Sequence, residues 1–179
     1  MDVVTIRDKT FRKYIPRDQI NRAVKQLAVR ISADYTGKDP LLLGVLNGAF
    51  VFAADLIRKL DIPCQISFVK YASYAGTHST ENIKELIGIN ETVQGRHVLV
   101  VEDIVDTGIT MDHLLQEIRK LHPASVRLAC FCLKREAFVK HFMIDYLGME
   151  IENTFVVGYG LDYDGYGRHL PEIYKLVCA

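Results

Sequence analysis

Apolar residues recur along the chain at two kinds of spacing. Ile20, Val24, Leu27 and Ile31 stand three and four positions apart, after Pro16 and before Gly37, which predicts an amphipathic helix. Residues 41–46 form a short unbroken apolar run between Pro40 and Asn47-Gly48, the pattern of a strand buried on both faces. A helix is predicted over 50–60, ending before Pro63, and a strand over the alternating residues 66–71. Residues 97–101 read as a further buried strand ending in Glu102-Asp103. A helix follows from about Met111, with Leu114, Leu115, Ile118 and Leu121 on one face and Pro123 just beyond. Strands over 126–133 and 155–157 complete the series. Strands separated by helical stretches require crossover connections, so the fold class is α/β with a mainly parallel sheet flanked by helices. Residues 73–84 are small, hydroxyl-rich and nearly free of core residues, and are expected to form a long mobile loop of the lid type.

No linker rich in Pro, Gly or Ser interrupts this pattern, and 179 residues suit a single domain spanning 1–179. Twenty-two basic side chains balance 22 acidic ones, which argues against a nucleic-acid or membrane-surface partner. The most membrane-like stretch, 41–57, is broken by Asn47-Gly48 and carries Asp55, so it falls short of an apolar span of ~20 residues. The first residues lack the basic start and apolar run of a secretory signal, and a cytoplasmic location is expected. Cys130-Phe131-Cys132 lies in an apolar run with no second pair or His cluster. Together with Cys64 and Cys178 these residues are expected to be thiols of a reducing compartment.

In open α/β sheets ligands bind beyond the carboxyl ends of the strands. Those ends carry Leu46-Asn47-Gly48, the segment from Glu102 to Thr110, Lys134-Arg135, and Gly158 to Asp162. A carboxylate pair at a strand end is self-repelling, so a cation or ligand hydroxyls must offset it. Asp106-Thr107-Gly108-Ile109-Thr110 follows at once, with two hydroxyls and a glycine at a helix start, where free N–H groups and the helix dipole favour an anion. Acids on one side and an anion cradle on the other match the outline of a ribose 5-phosphate. Blander readings exist for each residue. Thr110 as a plain N-cap, Asp106 as a loop carboxylate capping Gly108 or Ile109, Lys134 as a surface lysine and Phe155 as a core strand residue are all open to the sequence. Other phosphate motifs fail: Gly37-Lys38-Asp39 lacks the upstream glycine of a nucleoside-triphosphate loop, and the pairs Gly158/Gly160 and Gly165/Gly167 lack the third glycine of a dinucleotide fingerprint.

Residues 98–110, Val-Leu-Val-Val-Glu-Asp-Ile-Val-Asp-Thr-Gly-Ile-Thr, resemble the phosphoribosyl-diphosphate signature of type I phosphoribosyltransferases. Leu46-Asn47-Gly48, Ser73-Tyr74, Lys134-Arg135 and the run from Phe155 to Tyr163 narrow the resemblance to the hypoxanthine (hypoxanthine-guanine) phosphoribosyltransferases. Arg168-His169-Leu170-Pro171 is similar to their bacterial branch. The likeness covers most of 41–171 in the family's order. It implies the type I fold, with a small hood contributed by the N- and C-terminal segments.

The resemblance further implies purine salvage: transfer of 5-phosphoribosyl from its 1-diphosphate to N9 of a 6-oxopurine, with release of pyrophosphate and Mg2+ as cofactor. Glu102 and Asp103 would hold the ribose hydroxyls and, with Asp162, the metal. Ile104, Val105, Asp106, Thr107, Gly108, Ile109 and Thr110 would bind the donor and its 5-phosphate, with Asp106 as general base. Lys134 would donate to O6, Phe155 would stack on the base, and Val156 and Asp162 would offer backbone groups to its edge. Leu46, Asn47, Gly48 and Arg168 would face the pyrophosphate, and Ser73 and Tyr74 would belong to the lid. A homodimer or homotetramer is also implied. Asn47 departs from the family, since relatives commonly carry a basic residue there. The alternative reading is a regulatory nucleotide sensor on the same fold, which would need the phosphate cradle but neither Asp106 nor Lys134.

Overall fold

The computed structural model describes residues 2–74 and 82–177. In chain order the elements are β1 (Val3–Ile6), β2 (Lys9–Ile15), α1 (Arg17–Tyr35), β3 (Leu41–Leu46), α2 (Phe50–Ile57), β4 (Gln65–Tyr74), β5 (Asn82–Ile87), β6 (His97–Val105), α3 (Ile109–Lys120), β7 (Ser125–Lys134), β8 (Tyr146–Ile151), β9 (Val156–Val157) and β10 (Ile173–Leu176). Six strands form the main sheet in the order β5-β4-β3-β6-β7-β8, parallel throughout except for β5, which runs antiparallel to β4 at the edge.

Periodicity accounts for the layers. Ile20, Val24, Leu27, Ala28, Ile31 and Tyr35 form the buried face of α1, and Gly37, at φ 74°, turns the chain after it. With Phe52, Ala53 and Leu56 of α2, this face packs on one side of the sheet against Leu42, Leu99, Val101 and Phe131. Met111, Leu114, Leu115 and Ile118 of α3 cover the other side, against Leu41, Leu43, Val98, Val100 and Leu128. Asp112 in the first turn of α3, and Arg119 with Lys120 in the last, complement its dipole.

Several expectations need correction. The strand expected to end at Val101 continues to Val105, so Glu102 and Asp103 lie within β6. The residues expected as one long loop over 73–84 are strand at both ends, because β4 extends to Tyr74 and β5 begins at Asn82, the two pairing as a ladder. The middle of that tract, 75–81, lies outside the described residues, as does Cys178. The strand expected at 155–157 shortens to Val156–Val157 and joins a separate sheet, ordered β1-β2-β10-β9 and antiparallel throughout. Ile6, Phe11, Val157 and Tyr174 make its core. This second sheet draws its strands from both ends of the chain. Cys130 and Cys132 are buried free thiols and Cys64 is partly buried.

Candidate active site

The parallel register brings the chemistry together. Val105, the last residue of β6, pairs with Leu133 of β7, so the residues that follow them, Asp106 and Lys134, emerge at the same edge. Lys134 Nζ donates to Asp106 Oδ2 at 2.6 Å. The Lys134 side chain is only 11% exposed, which disposes of the surface-lysine reading: its ammonium is committed to the cleft. Nor does Asp106 cap the turn, since Thr107 Oγ1 accepts the Ile109 N–H instead, at 3.4 Å.

Two joined hollows mark this edge. One, of about 520 Å³, is lined by Leu46, Gly48, Tyr71 and Asp162 and by the whole segment from Glu102 to Met111. Its neighbour, of about 280 Å³, is lined by Lys134, Phe155, Val156, Leu161 and Arg168. Gly48, Asp103, Ile104, Asp106 and Asp162 line both, so the hollows are halves of one cleft.

Strand alternation slips at the acidic pair. Leu99 and Val101 share a core face with Ile104, whereas Val98 and Val100 share the opposite face with Val105. Glu102 and Asp103 occupy the point where the phase changes. The Glu102 Oε1 accepts the Asp103 backbone N–H at 3.2 Å. Burial, and then the adjoining Asp103 carboxyl, push the Glu102 carboxyl well above the usual carboxylate range. Beside Asp103, the chain must pass without a side chain at Gly48: a Cβ there would lie 1.7 Å from Asp103 Oδ2. Gly160, at φ 98°, likewise approaches the Gly48 carbonyl too closely for a Cβ, at 2.1 Å.

The helix start is built on Gly108, which holds φ 84° at the N-cap of α3 with no side-chain cap. Thr110 is therefore a first-turn residue, not the N-cap. Its hydroxyl and that of Thr107 flank N–H groups that have no partner within the helix. The turn thus presents hydroxyl and amide donors at the positive end of a helix dipole, a site for an oxyanion.

At the other half of the cleft Phe155 is 43% exposed, which excludes the core-strand reading. Its ring meets Tyr163 edge-on at 5.9 Å and tilts against Phe11 at 6.3 Å. Val156 is buried behind it. Arg168 donates to the Gly160 carbonyl at 2.6 Å and pairs with Asp162 Oδ1 at 2.7 Å, while Asp162 Oδ2 accepts the Gly165 N–H at 2.6 Å. Both oxygens of Asp162 are thus engaged. Asn47 is exposed and lines neither half of the cleft, unlike its neighbours Leu46 and Gly48. Ser73 and Tyr74 end β4, at the same carboxyl edge of the sheet. Sequence reasoning missed Tyr71 and Leu161, which line the cleft, and the Lys134–Asp106 pair; the aligned ends of two consecutive buried strands were the available signal for the pair.

This arrangement can hold a phosphorylated sugar, with acids for its hydroxyls and an amide-lined turn for its phosphate, next to an acid–base pair and an exposed aromatic. The chain belongs to the phosphoribosyl transferase domain family, whose pattern matches residues 16–164. Within it, similarity narrows to hypoxanthine-guanine phosphoribosyltransferases. The one from Aquifex aeolicus is 37% identical over 173 residues, 96% of this chain and 97% of that protein. The one from Streptococcus pneumoniae is 39% identical over 160 residues, 89% of each chain. The crystal structure of a hypoxanthine-guanine phosphoribosyltransferase from Bacillus anthracis superposes with a TM-score of 0.88 at 35% identity, covering 92% of this chain and 98% of that one.

Proposed function

We propose that the protein is a purine-salvage enzyme that transfers 5-phosphoribosyl from 5-phosphoribosyl 1-diphosphate to N9 of hypoxanthine or guanine, giving IMP or GMP and pyrophosphate. The observation that carries this reading is the Lys134–Asp106 pair, set in the same cleft as the carboxylate pair and the amide-lined turn. A nucleotide sensor would need only the turn; an acid–base pair beside an exposed aromatic serves transfer to a ring nitrogen.

In this mechanism the bond from C1 of the ribose to the diphosphate oxygen breaks and the bond to N9 forms, through a cation-like sugar centre. Glu102 and Asp103 hold the ribose hydroxyls. The turn from Asp106 to Thr110, with Ile104 and Val105 behind it, seats the 5-phosphate. Lys134 moves its donor from Asp106 to the purine O6, which selects a 6-oxo over a 6-amino base because an amino group does not accept that bond. The freed Asp106 carboxylate takes the proton leaving the purine ring. Phe155 stacks on the base and the Val156 backbone meets its edge. Arg168, pre-set by Asp162 and the Gly160 carbonyl, retains N–H donors for the departing pyrophosphate, which also meets the backbone of residues 46–48.

The donor set suits a hard divalent ion. Around the carboxylate pair the available ligands are oxygens, and among the described residues no three His, Cys, Asp or Glu side chains are grouped to hold an ion. Magnesium typically takes one or two carboxylates and completes its shell with substrate oxygens and water. Glu102 and Asp103 would hold it directly, and Asp162, whose two oxygens are engaged by Arg168 and the Gly165 N–H, would reach it only through a bound water. When bound there with the diphosphate, such an ion would supply positive charge to offset that of the leaving group.

The proposal extends to one folded unit over 1–179, its hood made by the two chain ends, acting in the cytoplasm as a homodimer or homotetramer without nucleic-acid or membrane partners. Among the described residues no helix is long and apolar enough to cross a membrane. Incubation with phosphoribosyl diphosphate, magnesium and each purine in turn tests the reaction: IMP and GMP should form and AMP should not. Failure with every 6-oxopurine would overturn it.

A further inference from the structure

The connection from β7 to β8, residues 135–145, does the work of a crossover without a helix. It crosses the α3 side of the sheet, where Phe138, Phe142 and Ile144 pack on the core. The segment starts from the base end of the cleft, because the Lys134 carbonyl accepts the N–H groups of Ala137 and Phe138, both at 3.1 Å. It then reaches the phosphate end at three points. The Val139 N–H donates to the Thr107 carbonyl at 3.2 Å. Phe138 and Phe142, edge to face at 5.0 Å, press on Gly108, where a Cβ would lie 2.6 Å from the Phe138 ring and 3.1 Å from that of Phe142. Lys140 pairs with Asp112, in the first turn of α3, at 3.3 Å.

The first contact fixes more than a carbonyl. In a planar trans peptide the C=O and the following N–H point in opposite directions. With the Thr107 carbonyl held by Val139, the Gly108 N–H is aimed away from the connection and toward the cleft that Thr107 and Gly108 line. A peptide preceding a glycine is otherwise easily flipped, since glycine tolerates either arrangement. We infer that residues 138–140 form a strap that sets the orientation of the Thr107–Gly108 peptide, and that the Val139 N–H and the Phe138 ring are positioning groups for binding the sugar 5-phosphate. This rests on the transfer reading for the identity of the phosphate ligand. It adds that the strap, hung from the carbonyl of Lys134, ties the base end of the cleft to the phosphate end.

Val139 makes a clean test because the residue is 61% exposed, leaving the N–H as the group that matters. Val139→Pro removes that N–H, and Val139→Ala keeps it. Calorimetric titration with ribose 5-phosphate should show affinity about tenfold weaker in Val139→Pro, the worth of one amide bond to a charged group, and wild-type affinity in Val139→Ala. Phe138→Ala, which withdraws the ring behind Gly108, should weaken it similarly and serves should the proline variant not fold. In turnover the KM for the donor should rise about tenfold while that for the base stays within twofold, a split that general loosening of the fold would not produce. Equal affinities in the wild type, Val139→Pro and Phe138→Ala would overturn the strap, as would equal weakening in Val139→Pro and Val139→Ala. Should the wild type bind ribose 5-phosphate yet form no nucleotide, the transfer reading falls while the affinities still decide the strap. Absence of ribose 5-phosphate binding in the wild type would overturn both.

Discussion

Gly48→Ala separates activity from stability at one atom. The added Cβ would sit 1.7 Å from Asp103 Oδ2, 2.5 Å from Cγ and 3.0 Å from Oδ1. Carbon–oxygen contacts settle at about 3.3 Å, so the Asp103 carboxylate must retreat by roughly 1.5 Å. That displacement pulls it from the position beside Glu102. A misplacement of about 1 Å near reacting groups costs on the order of 10²-fold, or about 2.7 kcal/mol of transition-state stabilisation. The fold should barely notice. Gly48 does not hold a positive φ, so alanine fits its backbone, and the stiffer unfolded chain, worth about 0.4–1 kcal/mol, offsets part of the cost of displacing the Asp103 side chain. The assay pairs kcat/KM for phosphoribosyl diphosphate with a thermal melt. The expected outcome is a ~10²-fold loss with Tm within about 3 °C of wild type. Gly95→Ala should do the reverse: nothing lies within 4 Å of its Cβ position, but φ 72° makes alanine strained, so Tm drops and turnover stays. If Gly48→Ala retains kcat/KM within threefold of wild type, the placement of Asp103 is not what the glycine protects.

Three further outcomes follow from the site. Asp106→Asn keeps the shape that meets Lys134 but gives up the proton acceptor, so nucleotide formation should slow by ~10²–10⁴-fold with donor binding nearly intact; unchanged turnover removes Asp106 from the base role. Lys134→Ala should relax or abolish the preference for 6-oxopurines, read from rates with hypoxanthine and adenine side by side, and retained discrimination against adenine contradicts it. Glu102 favours its proton in the folded chain because of burial first and Asp103 second, so the stability it contributes is complete below its ordinary value of 4.5 and is lost as pH rises through the raised folded value. Glu102→Gln escapes that loss. In chelator-treated protein its Tm should therefore pull ahead of wild type as pH rises above the ordinary carboxylate range, while turnover falls; a gap that stays constant or narrows with pH contradicts the assignment.

Periodicity made the layers legible, because Ile20, Val24, Leu27 and Ile31 have no other use for their spacing and the runs at 41–46 and 126–133 suit strands buried on both faces. The segment from Glu102 to Thr110 was legible as chemistry for a different reason: two acids and a hydroxyl–glycine turn are costly unless a ligand answers them. Other features depended on pairing partners distant in sequence. Strand β6 outruns its apolar run because Glu102 and Ile104 find hydrogen-bonded neighbours in β7, which hydrophobicity does not reveal. The short β9 reads as a core strand like the others, and only the antiparallel partner β10, 16 residues beyond its end, sends it to the second sheet and leaves Phe155 exposed. Gly148 and Glu150 hid β8, whose interior is only partly buried. The strap was hidden for the same reason. Phe138 and Phe142 stand in a stretch without periodicity, and their meaning depends on a glycine 30 residues upstream.

A crystal structure of the protein soaked with IMP and magnesium tests the central claim most directly. The phosphate should lie on the turn from Asp106 to Thr110 and the ribose hydroxyls against Glu102 and Asp103. The purine should stack on Phe155, with Lys134 drawn from Asp106 to O6. A nucleotide seated elsewhere, or one in the cleft with its phosphate away from that turn and the Lys134–Asp106 pair still closed, would contradict the account.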